Sequence, residues 1–130
     1  MASVELFSPA PNFQVRDVVA AAEHYRDVFG FRFDRYWGEP PCFVIITRGR
    51  AAFMLFSRDE GGPAPNGARD EWDAYVWVSD ADALCAEFRA AGANIVRPPE
   101  NQYYGVRDFE VRDIDGYLLC FGHHLDAPDE

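Results

Sequence analysis

With 130 residues, 48% of them hydrophobic and 15% aromatic, the chain suits one domain spanning residues 1–130 with a sizeable core, and disorder is excluded. Twelve basic against twenty-two acidic residues leave a formal charge of -10, a field that repels phosphate backbones and anionic bilayers. Nucleic-acid and membrane partners are therefore not expected, whereas a cationic small molecule would be attracted.

In chain order, residues 13–16 read as the end of a first strand, after which Asp17 caps a helix carrying Val18, Ala21, Tyr25 and Val28 at helical spacing. Gly30 ends that helix, and residues 31–37 alternate aromatic and charged side chains as a half-exposed strand does. After a Gly38 to Pro41 turn, residues 42–47 and 51–56 form two apolar strands joined by Arg48-Gly49-Arg50. Residues 57–69 gather Gly and Pro and read as a linker without regular structure. A second strand (73–78) and a helix follow, the helix capped by Asp80, striped by Ala81, Leu84, Phe88 and Ala91, and closed by Gly92. Residues 95–96 are a short strand, 98–104 a loop, and 106–112 and 117–121 two strands joined by the turn Asp113-Ile114-Asp115-Gly116. That turn lacks the third acidic position and the distant Glu of a calcium loop. Residues 125–130 read as a solvated tail.

The second half repeats the first. A shift of 63 positions lays Phe13 on Val76, Val15 on Val78, Asp17 on Asp80, Tyr25 on Phe88 and Arg26 on Arg89. The fold class is α+β: two tandem βαβββ modules, about 8–58 and about 71–124 with a linker at about 59–70, forming a curved, mostly antiparallel eight-stranded cup with helices outside. The working surface is expected where the halves face each other. Cys42, Cys85 and Cys120 lack paired spacing and sit in apolar surroundings as buried reduced thiols do; with no leader-like start and no apolar run near ~20 residues, a cytoplasmic location is expected.

Strand alternation then selects a site. If Val76 and Val78 face the helices, Asp73, Tyr75 and Trp77 occupy the other face, as do Ala52, Met54 and Phe56 in one strand and Leu118 and Cys120 in another. A sheet apolar on both sides hides both, behind a ligand, a partner or its own curvature. Trp37, Phe43, Tyr75, Trp77, Tyr103, Tyr104 and Phe109 are candidates to line a groove for planar groups, with Asp73 as counter-ion or general base. His24 is expected at the surface, and the neighbours His123 and His124 point to opposite sides of their strand. There is no Gly-x-Ser-x-Gly elbow and no phosphate-cradling glycine loop.

Val15-Arg16-Asp17 leading into Tyr25-Arg26-Asp27-Val28-Phe29-Gly30-Phe31, and Tyr104-Gly105-Val106-Arg107 leading into Arg112-Asp113-Ile114-Asp115-Gly116, resemble the vicinal-oxygen-chelate superfamily of glyoxalases, bleomycin-resistance proteins and dioxygenases. The tract Ala74-Tyr75-Val76-Trp77-Val78 is most similar to the bleomycin-resistance branch. The resemblance implies one metal held by side chains from four strands in the enzymes, and its four places fall here on Ala10, Met54, Asp73 and Cys120, of which only Asp73 is a hard ligand. It therefore implies a cofactor-free homodimer that sequesters an aromatic or cationic drug-like molecule through Trp37, Phe43, Met54, Asp73, Tyr75, Trp77, Tyr104, Phe109 and Cys120. The alternatives are a metal-dependent lyase or dioxygenase using Asp73 and a C-terminal histidine, and an accessory domain whose apolar face serves only dimerisation.

Overall fold

The computed structural model describes residues 3–125; the expected solvated tail lies, beyond Leu125, outside the described residues. Module one is β1 (Asn12–Gln14), α1 (Val18–Phe29), β2 (Tyr36–Trp37), β3 (Phe43–Arg48) and β4 (Ala51–Phe56), and module two is β5 (Ala74–Trp77), α2 (Ala81–Ala90), β6 (Asn94–Asn101), β7 (Val106–Arg112) and β8 (Leu118–His124). The architecture is α+β with open, curved sheets: β1-β4-β3-β2 and β5-β8-β7-β6, parallel only at β1/β4 and β5/β8. The strands pair within each module, so the eight form two sheets of four. No described helix is long and apolar enough to cross a membrane.

The helix boundaries follow local chemistry. The Asp17 carboxylate accepts from the N–H groups of Val19 and Ala20 at 2.9 and 3.2 Å, and Gly30, at φ 73°, closes α1 in the left-handed region. Asp80 repeats the cap by accepting from Ala83 N at 3.0 Å.

Elsewhere tertiary context overrode local pattern. Residues 31–37 are not one strand: Arg32 makes a single bridge to Thr47, the chain bends at Asp34, and pairing resumes only at Tyr36. The strand begun at Ile95 runs on through Pro98 and Pro99 where a loop was expected, because β6 is an edge strand and two register shifts absorb residues that cannot donate. The linker holds a short 3₁₀ turn, Asn66–Arg69. Cys42 is exposed in the turn before β3, whereas Cys85 and Cys120 are buried thiols. His24 is half-buried instead of superficial: its ring meets the edge of Phe29 at 5.1 Å, burial lowers its pKa, and its Nε2 is enclosed without a hydrogen-bond partner.

The two modules share one core. Phe13 of β1 stacks on Tyr117 beside β8 at 4.3 Å, and Phe29 of α1 meets Phe88 of α2 at 5.0 Å. The Tyr25 hydroxyl donates to Asp113 Oδ2 at 2.5 Å, while Asp113 Oδ1 accepts from the N–H groups of Asp115 and Tyr117, both at 2.9 Å. Arg16 N donates to Asp115, and the Tyr117 hydroxyl donates to Gln14 O. The turn between β7 and β8 is thus also a tie between modules. Arg48 adds a two-pronged contact to Glu87 at 2.6 and 2.9 Å. The helix-bearing faces of both sheets meet here, so what lies between the halves is chiefly core, and the second face of each sheet looks outward.

Burial raises the Asp113 carboxyl from 3.8 to about 6, with Asp115 adding to the rise and the hydrogen bonds from Tyr25, Tyr117 and Asp115 opposing it. The folded chain therefore holds this proton more tightly than the unfolded chain, so the contribution is full below about pH 4 and is lost as pH rises through about 6. Relative to Asp113→Asn, the wild type should lose on the order of 3 kcal/mol between these limits. Urea denaturation of both proteins across the range checks this; a difference that is flat or grows with pH contradicts it.

Candidate functional site

Cross-strand partners share a face, so the register sorts the candidate residues. On the open face of the first sheet, Trp37 pairs with Phe43, Phe43 with Phe56, and Ile45 with Met54. Trp37 and Phe43 meet at 5.5 Å, and two guanidiniums lie over this surface, Arg35 on Trp37 at 4.5 Å and Arg58 on Phe56 at 4.9 Å.

On the open face of the second sheet, one row across four strands is Tyr75, Cys120, Glu110, Arg97, and the next is Trp77, Gly122, Asp108, Glu100. Trp72, Tyr75, Trp77 and His124 form a continuous aromatic shelf with ring separations of 4.9, 4.8 and 4.3 Å, the last pair parallel within 10°. Trp77 is 57% exposed and Trp72 39%. A shelf of this kind offers flat π-surface to a planar or cationic partner.

Beneath it lies a polar floor. Asp108 is fully buried, and its Oδ2 accepts from the hydroxyls of Tyr75 at 3.0 Å and Tyr104 at 3.1 Å. Its Oδ1 accepts from Arg97 Nη2 at 2.6 Å, and Arg97 Nη1 donates to the Asp108 carbonyl at 2.8 Å. Glu110 lies 3.5 Å from the same guanidinium and accepts from Trp72 Nε1 at 2.8 Å. Two carboxylates thus face one guanidinium, while the neighbouring Arg112 and Asp70 balance each other at 3.6 Å. Gly122 makes this possible: a Cβ there would run into the Tyr75 hydroxyl and come within 2.8 Å of Asp108 Cβ, so the missing side chain lets Tyr75 cross β8 to reach Asp108. Burial and then the bond to Asp108 raise both phenols, Tyr104 to about 12 and Tyr75 beyond that.

The candidate residues divide accordingly. Tyr75, Trp77, Tyr104 and Cys120 share the second open face, and Trp37, Phe43 and Met54 share the first. Tyr103 is exposed in the turn beside Tyr104. Phe109 does not join them: it is fully buried on the helix side against Phe88 and Phe121. Asp73 is drawn into backbone capping, accepting from Asn66 N at 2.7 Å and Leu118 N at 2.9 Å. Asp108, Glu110, Arg97 and Trp72 are not among the candidates, and His124 enters only in the alternative reading, as one of two C-terminal histidines that could join Asp73 on a metal. Pairing through the turn between β7 and β8 holds the summed residue numbers constant, so Cys120 sits opposite Glu110 and Phe109 opposite Phe121; that count would have exposed the first two. His123 and His124 do part, His123 Nδ1 accepting from Ala81 N at 2.8 Å on the helix side while His124 stacks on Trp77. A cleft of about 1030 Å³ runs along the seam beside β4 and β5 and touches the candidate set at Tyr75 and Trp77.

The sequence model of the Glyoxalase/Bleomycin resistance protein/Dioxygenase superfamily matches residues 9–121. The chain belongs to that superfamily. Solved structures similar to it include TioX from Micromonospora sp. ML1, at 25% identity and TM-score 0.69 over 94% of this chain and 99% of that one. A bleomycin-binding protein from Streptomyces verticillus, solved with copper(II)-bleomycin, is similar at 23% and 0.68 over 96% and 100%. A glyoxalase-related enzyme from Clostridium phytofermentans is similar at 15% and 0.74 over 96% and 100%. No curated protein matches the chain.

The four places that the superfamily resemblance assigns to a metal do not fit one. Ala10 has no donor atom and Met54 offers a thioether. Both Asp73 oxygens accept from backbone N–H groups. Burial, then Asp108, pushes the Cys120 thiol far up, keeping it in the protonated form that ligates poorly. Among the described residues no three His, Cys, Asp or Glu side chains gather to hold an ion.

Gly122→Ala should force Tyr75 off Asp108 at a cost of about 1–3 kcal/mol, the usual penalty of overpacking. Thermal unfolding measures it, and an unchanged midpoint would show that the floor tolerates a side chain at this position.

Proposed function

We propose that this protein binds and sequesters a planar aromatic, cationic small molecule as a homodimer, without a metal and without catalysis. The observation that carries the reading is the exposed shelf of Trp72, Tyr75, Trp77 and His124 above a floor with one more carboxylate than guanidinium. The overall charge of -10 adds a long-range attraction for cations. Similarity to a protein solved with bleomycin supports the same class of role. The dimer is supported by the outward-looking faces: the rings of Trp37 and Phe43 lie on one sheet and those of Tyr75 and Trp77 on the other, so a cup lined by both sets is closed by a second copy.

The alternative is a metal-dependent lyase or dioxygenase with non-standard ligands, and the donor set above argues against it. Metal analysis of protein purified without chelators separates the two readings: stoichiometric zinc, nickel, manganese or iron would favour the enzyme.

Titration with planar aromatic cations should quench tryptophan fluorescence, and Trp77→Ala should weaken binding by about 2- to 30-fold, the range of a cation–π contact. Absence of quenching by every cation tested, or unchanged affinity in the variant, contradicts the reading.

A further inference from the structure

Resting on that reading of the shelf, we infer that the two phenols at its foot select ligands whose cationic group carries N–H donors, because Asp108 has turned both hydroxyls into acceptors. A tyrosine hydroxyl has one proton to give and lone pairs to offer. Tyr75 and Tyr104 each give theirs to the same oxygen, Asp108 Oδ2. That carboxylate is fully buried, so its acceptor demand is met from inside the protein, and releasing either proton to a ligand would strip a bond from a desolvated charge. Each phenol oxygen thus has only acceptor capacity left for a ligand.

The surrounding groups point the same way. Arg97, the nearest cation, turns its guanidinium to Asp108, to the Pro98 carbonyl and to Glu110. The Trp72 N–H is given to Glu110. Tyr104 is 46% exposed, and its hydroxyl shares Asp108 Oδ2 with that of the shelf residue Tyr75, which sets the two phenol oxygens side by side at the foot of the shelf. The raised phenol pKa values agree with this, since both groups hold their protons throughout the neutral range. Gly122 sets the arrangement, since any side chain there would push Tyr75 away from the carboxylate. A protonated amine, amidine or guanidine on an aromatic ring can stack on the shelf and donate into these oxygens. A quaternary ammonium of equal charge can stack but cannot donate, and a plain aromatic cage accepts it at least as well.

Calorimetric titration with (naphthylmethyl)ammonium, (naphthylmethyl)trimethylammonium and naphthylacetate tests the inference, the three sharing one ring system. The ammonium should bind about tenfold or more tightly than the trimethylammonium, the acetate should not compete, and Tyr104→Phe should shrink the advantage of the ammonium over its methylated counterpart by about 3-fold or more. Tyr75→Phe, which leaves Tyr104 bound to Asp108, serves as the second variant and should reduce the preference. Equal or tighter binding of the trimethylammonium, tighter binding of the acetate, or a preference that survives both variants overturns the inference. The first and last of these leave the shelf as a binding surface for cations. Failure of both cations to bind overturns the inference and the proposed function together.

Discussion

The packing of one helix-bearing sheet face against the other governs this molecule. Phe13 on Tyr117, Phe29 on Phe88 and the Tyr25 hydroxyl on Asp113 join the modules through their inner surfaces, so the opposite faces, aromatic rings included, turn to the outside. Burying rings of this size stabilises the fold by roughly 1.5–3 kcal/mol per side chain, which outweighs leaving part of a second aromatic layer in water. The outward layer is thus a consequence of where the core formed, and it provides the surface on which a ligand or a second copy can act.

The second sheet differs from the first in what lies under its rings. Phe43, Ile45, Met54 and Phe56 make the middle of the first face apolar, flanked by the polar Asn12, Gln14 and Thr47 and with arginines drawn over Trp37 and Phe56. On the second face, Asp108 and Glu110 stand in β7 where alternation would otherwise place apolar residues, and Arg97 from the proline-bearing edge strand supplies the counter-charge. A fully buried carboxylate is tolerated because the Tyr75 and Tyr104 hydroxyls and the Arg97 guanidinium all donate to it. The result is a rigid polar patch of fixed hydrogen-bond polarity, which suits recognition better than a uniformly apolar hollow.

The superfamily's fold is retained here, and two of the places that the resemblance assigns to a metal have other duties. Asp73 pins the end of the linker to the start of β8 through two backbone N–H groups, and Cys120 sits in the row between Tyr75 and Glu110 as a buried thiol. Fold and chemistry have separated, as they do in widely used scaffolds.

The sequence alone determined what is decided over short distances: the caps at Asp17 and Asp80, the left-handed close at Gly30, the strands of β4 and β7, and the repeat that makes two like modules. Each rests on contacts within a few residues or on side-chain periodicity, which a linear reading contains. Tertiary structure decided which faces would meet, that Phe109 would enter the core, that Asp73 would become a cap, and that Asp108 would gather Tyr75, Tyr104 and Arg97. The Tyr75 and Asp108 side chains are 33 residues apart and meet only because Gly122 leaves the strand between them bare, a relation of register and space that no local pattern encodes.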